Sequence, residues 1–199
     1  RDETFARDFD RQRFVEVTYP EADAMTACVK GQQDLVDLID WNSVEVLNQN
    51  AQRTYVNAVK KGYRDDSALF LESDCDEQIL LKIPFTQFIK VHSLILQHGE
   101  RDYAPSSLKL FVNRPNVGFD EAESEPGTQQ LQLDEADVLE GKPIALKYVL
   151  FQKVQSLTVF IESNFEDEDV TRLQRLQVFG TPVTTTNISK EAWEKACKT

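Results

Sequence analysis

FLESDCDEQILLKIPF, Phe70 to Phe85, passes from an acidic cluster holding one cysteine straight into an apolar run of strand composition. Asp74, Asp76 and Glu77 fall within four positions. They are too close together to be buried as unpaired charges, so they must be solvated, capped by amides or paired with bases. Gln78 to Ile83 then supplies aliphatic and β-branched residues. Pro84 lacks a backbone donor and is expected to end the ladder, with Phe85 closing an apolar layer just beyond. The stretch predicts a loop feeding a β-strand.

Downstream of Leu69 the pattern continues as short apolar runs divided by turn residues, the spacing of a sandwich or barrel. The expected strands are Leu69 to Leu71, Gln78 to Ile83, Ile89 to Gln97, Ser107 to Val112, Gln129 to Leu133, Ala145 to Phe151, Leu157 to Glu162 and Leu173 to Phe179. Leu108, Leu110 and Val112 alternate with Ser107, Lys109 and Asn113, and Leu157, Val159 and Ile161 alternate with Thr158 and Glu162, so each set is expected to face one core. Arg114-Pro115-Asn116, Glu125-Pro126-Gly127 and Glu140-Gly141-Lys142-Pro143 carry turn chemistry. Phe119 to Gly127 and Asn164 to Asp169 read as acidic loops.

The flanks differ from this core. Phe5, Phe9, Phe14 and Val17 have near-helical spacing before the Tyr19-Pro20 break, so residues 1–30 form an amphipathic helix or an arm. Leu35 to Ile39 is a helical turn, followed by a long polar loop from Asn48 to Asp66. At the other end Ser189 is placed to cap a last helix through Cys197, which carries Trp193.

A chain of 199 residues with 41% apolar and 28% charged residues has the make-up of a soluble globular protein. With 22 basic against 34 acidic residues its formal charge is −12, which repels phosphate backbones and anionic lipid; neither nucleic acid nor membrane is an expected partner. No apolar window approaches the roughly 20 residues of a membrane helix, and no secretory signal order is seen, so an intracellular protein is expected. Cys28, Cys75 and Cys197 are odd in number and lack a CxxC pair, which fits reduced thiols. Arg1 in place of methionine suggests a processed or partial chain, and the lack of an evident exposed apolar stripe suggests a monomer.

Catalytic constellations are hard to build from these residues. A nucleophilic Cys75 with His92 or His98 as base is opposed by the flanking carboxylates, which raise a thiol pKa. Zinc would have only those two histidines, read here as surface or edge residues on one strand face, and needs further ligands. Asp74, Asp76 and Glu77, or Glu166 to Asp169, lack the glycine and spacing of a calcium loop. A glycosidase pair needs two acids a few ångströms apart, which spacing in sequence does not supply, and sugar sites favour aromatic platforms, whereas Trp41 and Trp193 lie in the flanks; none of the seven glycines forms a phosphate-binding motif. No catalytic residue, metal or cofactor is therefore expected. Interaction through loops is the default, with Arg114, Phe119 and Trp193 as exposed candidates.

Four ordered blocks go further: FLESDCDEQILLKIPF at 70–85; SLKLFVNRP at 107–115 followed by FDEAESEP at 119–126; YVLFQKVQSLTVFIESN at 148–164; and LQVFGTPV at 176–183. Together with GQQDLVDLID at 31–40 they resemble the PITH domain family. The resemblance implies an all-β, jelly-roll β-sandwich similar to galactose-binding-like domains over residues 31–188, between the arm at 1–30 and a terminal helix at 189–199. It also implies a cytosolic and nuclear protein that associates with the 26S proteasome regulatory particle. In relatives carrying a thioredoxin-type redox domain, the thiol-disulfide chemistry lies upstream of this module. The expectation is thus a non-enzymatic docking module presenting Asp74, Asp76, Glu77, Arg114, Phe119 and Trp193. The fold analogy alone offers an alternative, a module binding a small ligand or carbohydrate.

Overall fold

A computed structural model describes residues 31–183; the arm at 1–30, the Ser189 to Cys197 helix and Trp193 lie outside them. In chain order the strands are β1 (Gln33–Asp34), β2 (Glu45–Leu47), β3 (Leu71–Glu72), β4 (Ile79–Gln97), β5 (Pro105–Val112), β6 (Gln129–Gln132), β7 (Ile144–Ala145), β8 (Val154–Asn164), β9 (Arg172–Leu173) and β10 (Arg175–Pro182). Short helices α1 (Tyr55–Val59), α2 (Phe119–Ser124) and α3 (Glu135–Glu140) and 3₁₀ turns at Leu35–Leu38 and Tyr148–Phe151 fill the connections.

β4 runs for 19 residues and belongs to two layers. Its first part pairs with β2 and β8, and β5 and β6 extend that layer. Its second part pairs with β10 and β7, and β1 lies beyond β10. All these pairings are antiparallel, and β3 and β9 form a separate ribbon. The register between β4 and β8 slips between Pro84 and Ile89, so the strand turns a corner there. Ile79, Leu81, Ile83, Leu108, Leu110, Leu157, Val159 and Ile161 of one layer share a single core with Val91, Leu94, Leu96, Leu176 and Val178 of the other. This is the expected β-sandwich. Because Gln33 pairs with Gly180, the two ends of the described chain leave side by side.

Several local expectations are corrected. Pro84 does not end a strand: its position pairs with Ser156, and its carbonyl accepts from Asp40 N at 2.9 Å. At a bulge the missing proline donor costs nothing, so the two strands expected around it are one. Ala145 to Phe151 is not a strand, because the chain leaves β7 after Ala145 and coils into the 3₁₀ turn. Phe119 to Gly127 contains α2, and the loop from Asn48 to Asp66 contains α1. Ser107, Lys109 and Thr158, which alternate with core residues, are themselves buried. On that outer face α2 covers a second small core of Leu80, Phe111, Val117, Ala122 and Phe160.

A second irregularity falls where Phe179 faces Ser93 and Gly180 faces Val91, leaving His92 as the extra residue. It shifts the inward set of β4 from Ile89 and Val91 to Leu94 and Leu96. A Cβ at Gly180 would stand 1.9 Å from the Lys90 carbonyl oxygen, so only glycine lets the strands close. Gly180→Ala is expected to lower stability by about 2 kcal/mol, the scale of overpacking in a filled site; urea unfolding of the variant checks it.

Candidate interaction site

Of the residues singled out in the sequence, Phe119 opens α2 and Arg114 pairs with the residue that ends it. Gly118 N donates to Glu121 Oε2 at 3.0 Å at the start of this helix. At its far end the buried Lys109 donates to the carbonyls of Ala122 and Glu123 at 3.2 and 2.9 Å. A cation at a helix C-terminus satisfies carbonyls that have no partner within the helix. The same ammonium pairs with Glu162 at 3.2 Å. Phe119 is half-buried, edge-on to Phe160 with centroids 6.1 Å apart, so packing holds one side of its ring.

Arg114 grips the residue that ends α2. Its guanidinium donates to both Glu125 carboxylate oxygens, at 3.0 and 3.1 Å. These bonds hold the Glu125 carboxyl below, and the Arg114 guanidinium above, their ordinary pKa values. Both side chains remain solvated, so the pair orders the rim more than it stabilises the fold.

The acidic loop is organised by Asn48, which stands in the left-handed region at φ 61°. Its Oδ1 accepts from Cys75 N at 2.9 Å, and its Nδ2 donates to Asp76 Oδ1 and Gln78 O, both at 2.6 Å. Gln78 Nε2 in turn donates to Glu123 Oε1 at 3.0 Å, tying the loop to α2. Phe119 thus lies in α2, Arg114 pairs with the residue that ends it, and the loop of Asp74, Asp76 and Glu77 is tied to it through Gln78; Trp193 lies outside the described residues. Cys75 is exposed, and the charge of Asp74, then its hydrogen bond, burial and Asp76 all push the thiol pKa up. That is opposite to what a nucleophile needs.

Asn48 was missed in the sequence, as was Asn113. The latter, at φ 56°, donates to Lys153 O at 2.9 Å and accepts from Gln155 N and Ser156 N at 2.8 and 3.2 Å. The available signal is residue type: asparagine tolerates left-handed backbone and bonds to nearby main chain. Asn113 also lines an open groove of about 680 Å³ with Asp40, Phe85, Phe88, Lys153 and Ser156. Lys153 Nζ lies 4.8 Å from the centre of the Phe88 ring.

The histidines depart from expectation. The β4 irregularity at His92 breaks the even spacing, and His98 lies beyond the strand end. His98 is buried, edge-on to Phe70 at 5.7 Å, and neither ring nitrogen has a hydrogen-bond partner among the described residues. Beside it, Arg172 lies 5.2 Å from the Phe70 ring centre and 4.0 Å from that of Tyr103, and pairs with Glu72 and Glu100. Burial pushes the His98 pKa below the ordinary histidine value, Glu100 pulls it up, Arg172 adds to the lowering and Glu72 opposes it. Among the described residues no cluster of three or more His, Cys, Asp or Glu is arranged to hold a metal ion. No helix among them is long and apolar enough to cross a membrane.

Two facing antiparallel sheets with short helices on their rims define a galactose-binding-like β-sandwich. A family 32 carbohydrate-binding module from C. perfringens NanJ, solved with galactose, superposes with TM-score 0.53 at 8% identity over 74% of this chain and 98% of its own. The tandem CBM32 domains of Clostridium perfringens ZmpB give 0.58 at 9% identity over 80% of this chain and 38% of theirs. Similarity at that identity concerns the fold alone. The chain belongs to the PITH domain family, which matches residues 26–196. It is 38% identical to thioredoxin-like protein 1 of Schizosaccharomyces pombe over 81% of this chain and 56% of that protein. It is 36% identical to PITH domain-containing protein CG6153 of Drosophila melanogaster over 75% of this chain and 70% of that protein. The chain thus spans little more than half of the first relative's length.

Two predictions follow from this geometry. Asn48→Ala is expected to cost about 2 kcal/mol, since it removes several bonds worth about 1 kcal/mol each and puts alanine in left-handed backbone. Faster amide hydrogen exchange at Cys75 to Gln78 would accompany it. For His98, the unfolded chain takes up a proton near pH 6.5 and the folded chain only at lower pH. Stability is therefore full above that value and falls as pH drops through it. Urea midpoints should decline from about pH 7.5 to 5.5 around this histidine value, and His98→Gln should flatten the decline.

Proposed function

We propose that this chain is a non-enzymatic interaction module that docks, as a monomer, on the 26S proteasome regulatory particle in cytosol and nucleus. Membership of the PITH domain family across residues 26–196 carries the proposal. The similarity to a thioredoxin-like protein supports the same direction, as the non-redox part of such an adaptor. The rim fits the role: hydrogen bonds hold the acidic loop and α2 in place before any partner arrives, so little ordering entropy opposes binding.

For a carbohydrate or other small ligand, one candidate place among the described residues is the groove beside Phe88. Lys153 already covers that ring, which removes the free aromatic face a sugar would stack on. Macromolecular docking is the better use of this surface.

The experiment immobilises the full 199-residue chain and offers purified regulatory particle at rising ionic strength. Retention is expected at low salt and should weaken as salt screens the rim. Glu77→Lys and Arg114→Ala should reduce it while the circular dichroism spectrum stays that of wild type. A folded wild-type chain that retains no particle overturns the proposal.

A further inference from the structure

Among the stretches of this acidic chain without a carboxylate are Gln78 to Gly99, with Lys82, Lys90 and both histidines, and Gly141 to Ile161, with Lys142, Lys147 and Lys153. The fold lays parts of them side by side. Phe88, Lys90 and His92 alternate with the buried Ile89 and Val91, so they point away from the core. The turn Tyr148–Phe151 lies against them: the Tyr148 ring is 6.2 Å from that of His92, and Lys153 reaches over Phe88.

Within that turn only Phe151 is buried; Val149 is 84% exposed, and Tyr148 and Leu150 are 44% and 46% exposed. Three consecutive large apolar side chains in water mark a surface that gains free energy when covered. The nearby cations also include three without a carboxylate partner among the described residues. Lys61, Lys82, Lys109 and Lys142 each pair with a carboxylate, whereas Lys90, Lys147 and Lys153 have none among the described residues.

We propose that this face captures an acidic peptide segment of a partner protein. An aliphatic or aromatic side chain of the segment packs on Val149 and Leu150, and its flanking carboxylates meet Lys90, Lys147 and Lys153. Charge selects this occupant. A lipid surface would meet the same apolar turn, but a body of net charge −12 is repelled by an anionic bilayer, whereas a single peptide answers to the local field. The peptide class rests on the exposed turn and its lysines alone; that it belongs to the regulatory particle rests on the proposed function.

A random peptide library panned on the 199-residue chain tests the surface. Recovered peptides are then measured against wild type, Val149→Asp and the Lys147→Glu/Lys153→Glu double variant. All three positions are exposed, so wild-type circular dichroism is expected for every variant. The proposal requires enrichment of acidic peptides carrying an apolar anchor and a loss of about ten-fold or more in affinity for both variants. No enrichment, peptides without acidic residues, or affinities indifferent to both variants overturn it. So does capture of phosphatidylserine vesicles that is lost in Val149→Asp, which assigns the face to membrane. Benzoylphenylalanine at position 149 that cross-links only to residues 1–30 or 184–199 of its own chain overturns it as well. Purified regulatory particle separates the two proposals: equal retention by wild type and Val149→Asp overturns the assignment of the peptide to the particle and leaves proteasome docking standing. Acidic peptides bound by a chain that ignores the particle do the reverse.

Discussion

One strand in two sheets is the constraint on which the rest of the structure depends. β4 gives Ile79, Leu81 and Ile83 to one layer and Val91, Leu94 and Leu96 to the other, and the register slip after Pro84 turns it between them. Neither layer has its central ladder without this strand. Loss of either half exposes the apolar face of both, so the sandwich is expected to stand or fall as one cooperative unit. The corner also shapes a groove. Phe85, Phe88 and the Asn113 loop meet at the bend, and the groove lies between them.

Alternation was a sound guide wherever a strand has one dry face and one wet face. Leu157, Val159 and Ile161 point into the core as their spacing demands. It misled on β5 and β8, where α2 dries the second face as well, and no local pattern announces a helix arriving from elsewhere. Tyr148 to Phe151 has strand composition but no ladder waiting for it, so tertiary context overrides propensity. By contrast α3 was legible and overlooked: Asp134 accepts from Ala136 N at 2.9 Å, and Gly141 ends the helix at φ 68°, a start and stop signal in plain view.

The site was legible at the level of charge and not of architecture. That Asp74, Asp76 and Glu77 would lie in a solvated loop follows from their crowding alone. That Asn48 threads this loop, and that Gln78 ties it to α2, depends on pairings 27 to 45 residues apart, which composition does not reveal. The same holds for Lys109, a cation placed where alternation expects solvent but consumed by the last carbonyls of α2 and by Glu162. Long-range polar closure of this kind gives the rim a fixed shape, and shape is what a recognition surface needs before charge can discriminate.

The pairing of Gln33 with Gly180 has a consequence for any longer polypeptide that carries this sandwich. A domain whose entry and exit are adjacent does not hold its sequence neighbours apart; it hangs from the chain as a side-loop instead of serving as a spacer.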